Sequence, residues 1–260
     1  MKKLKYFFLS ALFVSMGTFA QEQEQEQPER KPGHKNINKF KELYDEFATP
    51  NMFRTGSGAP GPAYYQQQAD YKMDLELDDT KAILSGFETI TYTNNSPDEL
   101  KYLWVQLDQN MRAQDSKTPL IESGGMSSFQ RPGGFSSKYM EEAFDGGFNI
   151  EQVTNVNGKP LPHMINGTMM RVELPAGMAT GDKFSFQIKW WYNINDHTKD
   201  GGRSGYEHFE KNDNRIYVMA QFYPRMAVYN DVEGWQNAQF FGRDEFALPF
   251  GNFEVNITVP

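Results

Sequence analysis

The sequence contains no cysteine. Disulfide bonds are therefore excluded, and a folded domain must derive its stability from a hydrophobic core. The composition can supply such a core, because aromatic residues make up 15% of the chain, with 21 Phe and 13 Tyr. The lack of cysteine also excludes a thiol nucleophile and an acylated cysteine at the start of an exported lipoprotein.

Histidine is scarce. The chain has four, which are His34, His163, His197 and His208. None belongs to an H-E-x-x-H motif, and the sequence has no Gly-x-Ser-x-Gly nucleophile elbow. Asp196 and His197, with residues 206–210, form the nearest polar cluster, but the Lys and Gly residues around it favour a solvated loop over a metal site. We therefore predict no catalytic residue and no metal ligand in this chain.

The chain has fewer basic than acidic residues. The chain has 26 Lys and Arg against 34 Asp and Glu, a net charge of -8 and a pI near 5.1. Nucleic acids and anionic membranes are bound through basic patches, so neither is an expected partner. After the first twenty residues the sequence has no long apolar run, so we expect no membrane span once those residues are removed.

The first twenty residues have the pattern of a signal peptide. Three lysines precede an apolar run over residues 6–14, which is too short to span a bilayer, and small residues follow up to Ala20. Signal peptidase recognises this order. We expect cleavage after Ala20, a mature N-terminus at Gln21, and export to the periplasm or the extracellular space.

Residues 21–66 are predicted to form a tether. Residues 21–30 read Q-E-Q-E-Q-E-Q-P-E-R, a polar low-complexity tract that cannot bury apolar surface and is expected to be disordered. Residues 38–47 carry apolar side chains at helical spacing, which predicts a short amphipathic helix. A Gly/Pro-rich stretch over residues 55–62 then predicts a loop.

From about residue 67 the hydrophobic period becomes two, which is typical of half-buried strands. Alternation occurs in residues 71–77, 83–94, 100–107, 150–156, 170–174, 184–190, 216–222 and 253–259. Short alternating segments separated by turns, without repeated long helices, predict an all-β antiparallel sandwich over residues 67–260. Between them, the weakly patterned residues 108–147 are expected to form a long surface insertion. The last strand stops at Pro260 without a polar tail, so we expect the chain to be a fragment of a longer protein.

The sequence also contains an aromatic run, Trp190-Trp191-Tyr192, within one predicted strand. Alternation places one tryptophan on each face of the sheet. Trp190 is expected in the core, and Trp191 and Tyr192 are expected to cover a domain contact. In the alternative interpretation, Trp191 stacks on a sugar ring, and the chain is a free-standing secreted module that binds carbohydrate or protein.

Two parts of the sequence resemble one family. Residues 217–235 read Y-V-M-A-Q-F-Y-P-R-M-A-V-Y-N-D-V-E-G-W, and residues 71–109 carry the run G-F-E-T-I-T-Y-T-N-N-S-P-D-E-L-K-Y-L-W-V-Q-L-D-Q-N. They resemble the N-terminal domain of the aminopeptidase N-like zinc metallopeptidases, peptidase family M1, in a form common in exported bacterial members. The resemblance implies a saddle-shaped β-sandwich that packs on a catalytic domain, which follows it in the same polypeptide.

The resemblance implies one substrate-binding residue. Family members place a Gln, in a Gln-x-x-Pro context, at the edge of the active site, where it helps to hold the free amine of the peptide substrate. Gln221 and Pro224 match this spacing. Strand alternation sets Gln221 out of phase with Val218, Ala220 and Phe222, so we expect it to face away from the core, although an ordinary polar strand residue would satisfy the same pattern.

The resemblance also implies what this chain lacks. The zinc ligands, the general-base Glu and the Gly-x-Met-Glu-Asn motif belong to the catalytic domain of the family, and none occurs here. Zinc is therefore expected in that missing domain, and the chain alone is expected to be inactive. The implied partners are the catalytic domain and the N-terminus of a peptide substrate.

Overall fold

The structure is a computed structural model that describes residues 50–121, 144–243 and 246–260. The expected signal peptide, the tract over residues 21–30 and the helix over residues 38–47 lie outside the described residues and stay predictions.

The described residues are mostly β-strand. The strands are β1 (Gln68–Asp78), β2 (Ile83–Thr93), β3 (Leu100–Gln106), β4 (Asn149–Asn155), β5 (His163–Asn166), β6 (Met169–Met178), β7 (Lys183–Asn193), β8 (Gly205–Phe209), β9 (Asn214–Val218), β10 (Arg225–Met226), β11 (Tyr229–Asn230), β12 (Gly234–Trp235) and β13 (Phe253–Thr258). The helices are short: α1 (Thr118–Ile121), α2 (His197–Asp200) and two 3-10 turns, Asp108–Arg112 and Glu210–Asn212. None of these helices is long and apolar enough to cross a membrane.

The strands form two main sheets and two hairpins. A five-stranded sheet has the order β13-β1-β2-β7-β4, and a four-stranded sheet has the order β10-β3-β6-β5. The hairpins pair β8 with β9 and β11 with β12. Neighbouring strands are antiparallel, as predicted, with one exception: β13 pairs with β1 in parallel, with Met73 in register with Val255.

The core lies between the two main sheets, because inward-facing residues of both belong to one buried cluster. In β2 and β7 of the five-stranded sheet, the even-numbered residues face the core. The odd-numbered residues between them face outward and are polar or partly exposed. Trp190 is 1% exposed and lies against Gly86 of the adjacent strand, where an added Cβ would come within 2.4 Å of the indole ring. The predicted all-β sandwich is confirmed, and Gly86 is where the strand must lack a side chain.

Two local predictions were wrong. The strand predicted over residues 216–222 ends at Val218, and Ile216 and Val218 are 53% and 60% exposed. They belong to the β8–β9 hairpin, which pairs with neither main sheet, so their alternation does not mark the core. The segment 108–147 is also not wholly a surface insertion: Asp108 and Gln109 at its start and Phe148 just beyond its end are buried.

Candidate functional site

Gln221 lies in a turn between β9 and β10, and not in a strand. Its φ angle is +54°, the left-handed region that side chains other than glycine rarely adopt. For an L-residue this conformation costs roughly 1–2 kcal/mol. Such a conformation persists when surrounding contacts hold it, and it is more frequent at functional sites than elsewhere.

Two buried side chains hold the turn. Nε2 of Gln109 donates hydrogen bonds to the carbonyl oxygens of Ala220 and Gln221, at 2.9 and 3.1 Å. The hydroxyl of Ser204 accepts from the backbone N–H of Ala220 and donates to its carbonyl oxygen, both at 3.0 Å. Gln109 and Ser204 are 2% and 4% exposed. These hydrogen bonds are therefore partly buried, and breaking one reduces the pairing of a polar group that water reaches only in part.

Further contacts fix these two side chains in turn. Nη1 of Arg112 donates to Oε1 of Gln109 at 3.1 Å, which leaves the Gln109 amino group to face the two carbonyl oxygens. Nδ2 of Asn195 donates to the Ser204 carbonyl oxygen at 3.0 Å. Burial lowers the pKa of Arg112 from its usual value, while Tyr192 and Asp200 act in the opposite direction. The turn thus rests on a layer of side chains that are themselves held in place.

The C-terminal side of the turn is held by a buried ion pair and a tyrosine. Nε of Arg225 lies 2.7 Å from a carboxylate oxygen of Asp108, and the two side chains are 9% and 1% exposed. The next residue, Met226, donates its backbone N–H to the Tyr71 hydroxyl oxygen at 2.8 Å. Asp108 and Gln109 are consecutive residues, so one short 3-10 turn anchors residues 220–221 and residue 225.

The Gln221 side chain has different surroundings. It is partly exposed, and its carboxamide forms no hydrogen bond with any residue that the structure describes. A carboxamide oxygen is an acceptor and the amino group is a donor, so the side chain can bind an ammonium group or a carbonyl oxygen. Tyr223 lies two residues away and packs edge-on against Tyr71, with ring centroids 5.4 Å apart. Burial raises the pKa of Tyr223, so its hydroxyl stays neutral at ordinary pH.

In the polar cluster that the sequence raised as a possible metal site, the side chains contact residues close to them in the chain. The Asp196 carboxylate accepts the backbone N–H of Thr198 at 2.9 Å and so caps helix α2, and hydrogen bonds from Thr198 lower the pKa of Asp196. Nε2 of His208 lies 3.1 Å from the Asp213 carboxylate. Within residues 50–121, 144–243 and 246–260, no three His, Asp or Glu side chains are grouped to hold a metal ion.

Trp191 lies on the outer face of the five-stranded sheet, opposite in phase to Trp190, as alternation predicts. Tyr192 is 2% exposed and belongs to the core, so the expectation that it covers a domain contact was wrong. Its register partners are Ser85 and Asn149, both smaller residues. With Phe87 and Lys189 it lines an open depression of about 620 Å³. This face therefore presents a partly exposed indole, which is the feature that the alternative function requires.

The residues that hold Gln221 were missed at the level of sequence. Gln109 and Arg112 fall in the segment interpreted as an insertion, and Ser204 falls in a Gly-rich loop. The available signal was their position, since Asp108 and Gln109 directly follow an alternating strand, where loop residues held by a rigid sheet often carry function.

These observations define a class: a two-sheet β-sandwich with a strained, side-chain-held turn and no metal centre among its described residues. No protein-family model and no curated protein matches the chain. Among solved structures, it is similar to a glutamate-to-alanine mutant of a two-domain M1 zinc metallopeptidase bound to L-tryptophan, with 13% identity over 78% of this chain and a TM-score of 0.37.

It is also similar to the M1 zinc metallopeptidase from Deinococcus radiodurans, with 13% identity over 75% of this chain and a TM-score of 0.35. A mutant of that protein bound to a Tyr-Ser-Ala substrate gives the same values. The chain spans 35% of the length of the first structure and 32% of the others.

Proposed function

We propose that this chain is the substrate-facing β domain of an exported zinc aminopeptidase-like protein. Gln221 receives the free amine of the peptide substrate, and the zinc site belongs to a catalytic domain of the same polypeptide. The observation that carries the proposal is the turn at Gln221, where a non-glycine residue is held in a left-handed conformation with its carboxamide unpaired among the described residues.

The chemistry of this turn suits an ammonium group. The carboxamide oxygen accepts a hydrogen bond, and a bond from a charged ammonium donor contributes roughly 1.5–3 kcal/mol. Because the backbone is held before the substrate arrives, little entropy is lost in ordering it during binding. A residue poised in this way contributes to substrate orientation without taking part in bond cleavage.

The central test replaces Gln221 with Ala in the polypeptide that joins this domain to a zinc-binding domain. We expect kcat/KM to fall by about 10- to 150-fold for substrates with a free N-terminal amine. N-acylated substrates lack the charged donor, so they should lose less. Gln114→Ala, which changes an exposed glutamine, is the matched control. An equal loss on both substrate types would mark Gln221 as a structural residue.

A second test concerns the chain on its own. Without zinc ligands, it should neither retain zinc after dialysis against a weak chelator nor hydrolyse aminoacyl substrates. Stoichiometric zinc or measurable hydrolysis would contradict the proposal. DNA downstream of the codon for Pro260 gives an independent check, since an H-E-x-x-H sequence in the same reading frame is expected there.

The second candidate is a binding module that uses the outer face around Trp191, favoured by the open depression that this indole shares with Phe87. In that case Trp191→Ala should abolish binding to an immobilised polysaccharide, while Gln221→Ala should have no effect on it. Intact saccharide binding in Trp191→Ala, or none in the wild type, would exclude this candidate.

A further inference from the structure

Gln109 occupies an unusual position for an amide side chain. It is 2% exposed and belongs to the 3-10 turn that follows β3, yet its hydrogen-bond partners lie 111 and 112 residues later in the chain. One amino group serves two successive carbonyl oxygens, those of Ala220 and Gln221. Both oxygens therefore lie within reach of one donor, at the residue whose φ is left-handed.

Only a donor at this position satisfies the geometry. A carboxylate would face two carbonyl oxygens with no proton to share, and an apolar side chain would leave both oxygens without this partner in a partly buried place. Arg112 determines which end of the amide faces the turn, because its guanidinium donates to Oε1 and a guanidinium has no acceptor. The orientation of the Gln109 amide is thus fixed at both ends.

We propose that Gln109 is the positioning residue for Gln221: its buried amide holds the left-handed turn that sets the direction in which the Gln221 side chain leaves the backbone. Without this amide, residue 221 relaxes toward a negative φ, and its Cα–Cβ bond points elsewhere. The proposal deepens the proposed function and rests on it for the role of Gln221, but the hold on the backbone stands independently of any substrate.

The structural arm of the test uses crystal structures of the full chain with Gln109→Met and with Gln114→Met. Methionine keeps the length of the glutamine side chain and can fill the same space, but it has no donor. We expect φ at Gln221 to become negative in Gln109→Met and to stay near +54° in the exposed-site control. A left-handed Gln221 in Gln109→Met would overturn the proposal.

The functional arm measures kcat/KM in the polypeptide that joins this domain to a zinc-binding domain. Gln109→Met should lower kcat/KM by about tenfold on free-amine substrates and less on N-acylated ones, a selectivity that general loosening of the fold would not produce. The double variant Gln109→Met/Gln221→Ala should match Gln221→Ala within about twofold, because the first residue acts through the second. If the two single-variant losses in kcat/KM multiply in the double variant, Gln109 acts independently of Gln221, which would contradict the proposal.

Two further variants keep the proposal testable if Gln109→Met does not fold. If Gln109→Met is unfolded, Gln109→Glu keeps the shape and the pairing with Arg112 while removing the donor, and it should show the same change in φ. Ser204→Ala tests the second hold on Ala220 and should lower the same selectivity by a smaller factor. If φ changes in the Gln109 variants while neither they nor Gln221→Ala affect free-amine selectivity, the positioning stands and the proposed function fails.

Discussion

The carboxylate of Asp108 lies 2.7 Å from Nε of Arg225, and both side chains are buried. The pair joins Asp108, the second residue after β3, to Arg225, the first residue of β10, across 117 positions of sequence. Burial raises the pKa of Asp108, against the opposing effect of Arg225. Because removing two charges from water offsets much of their attraction, the main effect of such a pair is to fix where the chain after the Gln221 turn enters the sheet.

Breaking this pair from one side should destabilise the fold strongly. Asp108→Ala leaves Arg225 buried and unpaired, and we expect the free energy of unfolding in urea to fall by about 3–5 kcal/mol. Asp108→Leu combined with Arg225→Met should cost less than either single change, since it removes both charges. A loss below about 1 kcal/mol for Asp108→Ala would show that water reaches Arg225.

The buried Glu88 should make stability depend on pH. Its carboxyl group lies in the core of β2, neither oxygen has a hydrogen-bond partner of normal geometry among the described residues, and burial raises its pKa well above the usual value, against a smaller effect of Trp190. Above a pH of about 4.3 the unfolded chain loses this proton while the folded chain keeps it. The free energy of unfolding then falls as pH rises, by up to about 1.4 kcal/mol per pH unit from this group.

Glu88→Gln removes this proton equilibrium. We expect the variant to have a higher Tm than the wild type at pH 8 and a similar Tm at pH 4, measured by thermal unfolding. Glu76→Gln, an exposed carboxylate on the neighbouring strand, is the matched control and should change little at either pH. Parallel Tm curves for Glu88→Gln and the wild type would contradict the prediction.

The variant Gln221→Gly distinguishes the effect of the backbone conformation at residue 221 from the effect of its carboxamide. Because glycine adopts a positive φ without steric cost, Gln221→Gly should be more stable than Gln221→Ala by roughly 1 kcal/mol in urea unfolding. Both variants lack the carboxamide, so their losses of free-amine selectivity should be similar. Equal stability of the two variants would mean that residue 221 is not held at a positive φ in solution.

The edge strand β13 exposes an apolar strip. Phe253, Val255 and Ile257 are in register with the core-facing Tyr71, Met73 and Leu75, yet they are 51%, 39% and 60% exposed. Such a strip at a sheet edge favours association with hydrophobic surfaces. Ile257→Lys should lower the binding of the dye ANS and self-association in sedimentation experiments. Thr258→Lys, on the opposite face of the same strand, should leave both unchanged, and equal effects of the two variants would count against the strip.

Local sequence was informative for the longer strands of the main sheets. In residues 71–77 and 184–190 one face contacts the core and the other does not, so the period of two in the sequence follows from burial on one side. The same period misled in residues 216–222, because the β8–β9 hairpin pairs with neither main sheet and Ile216 and Val218 stay exposed. A period of two predicts a strand, but it does not predict which part of the protein packs against the apolar face of that strand.

The sequence by itself determined the all-β class, the longer strands of the main sheets and the candidate Gln221, because these depend on residues close together in the chain; it did not predict the short strands β5 and β10. Tertiary structure alone decided how Gln221 is held. Its turn depends on Gln109 and Ser204, and the parallel pairing of β13 with β1 joins residues 182 positions apart. No local pattern encodes such contacts, since a buried amide donor and two distant carbonyl oxygens become partners only when folding removes the water that would otherwise bind them.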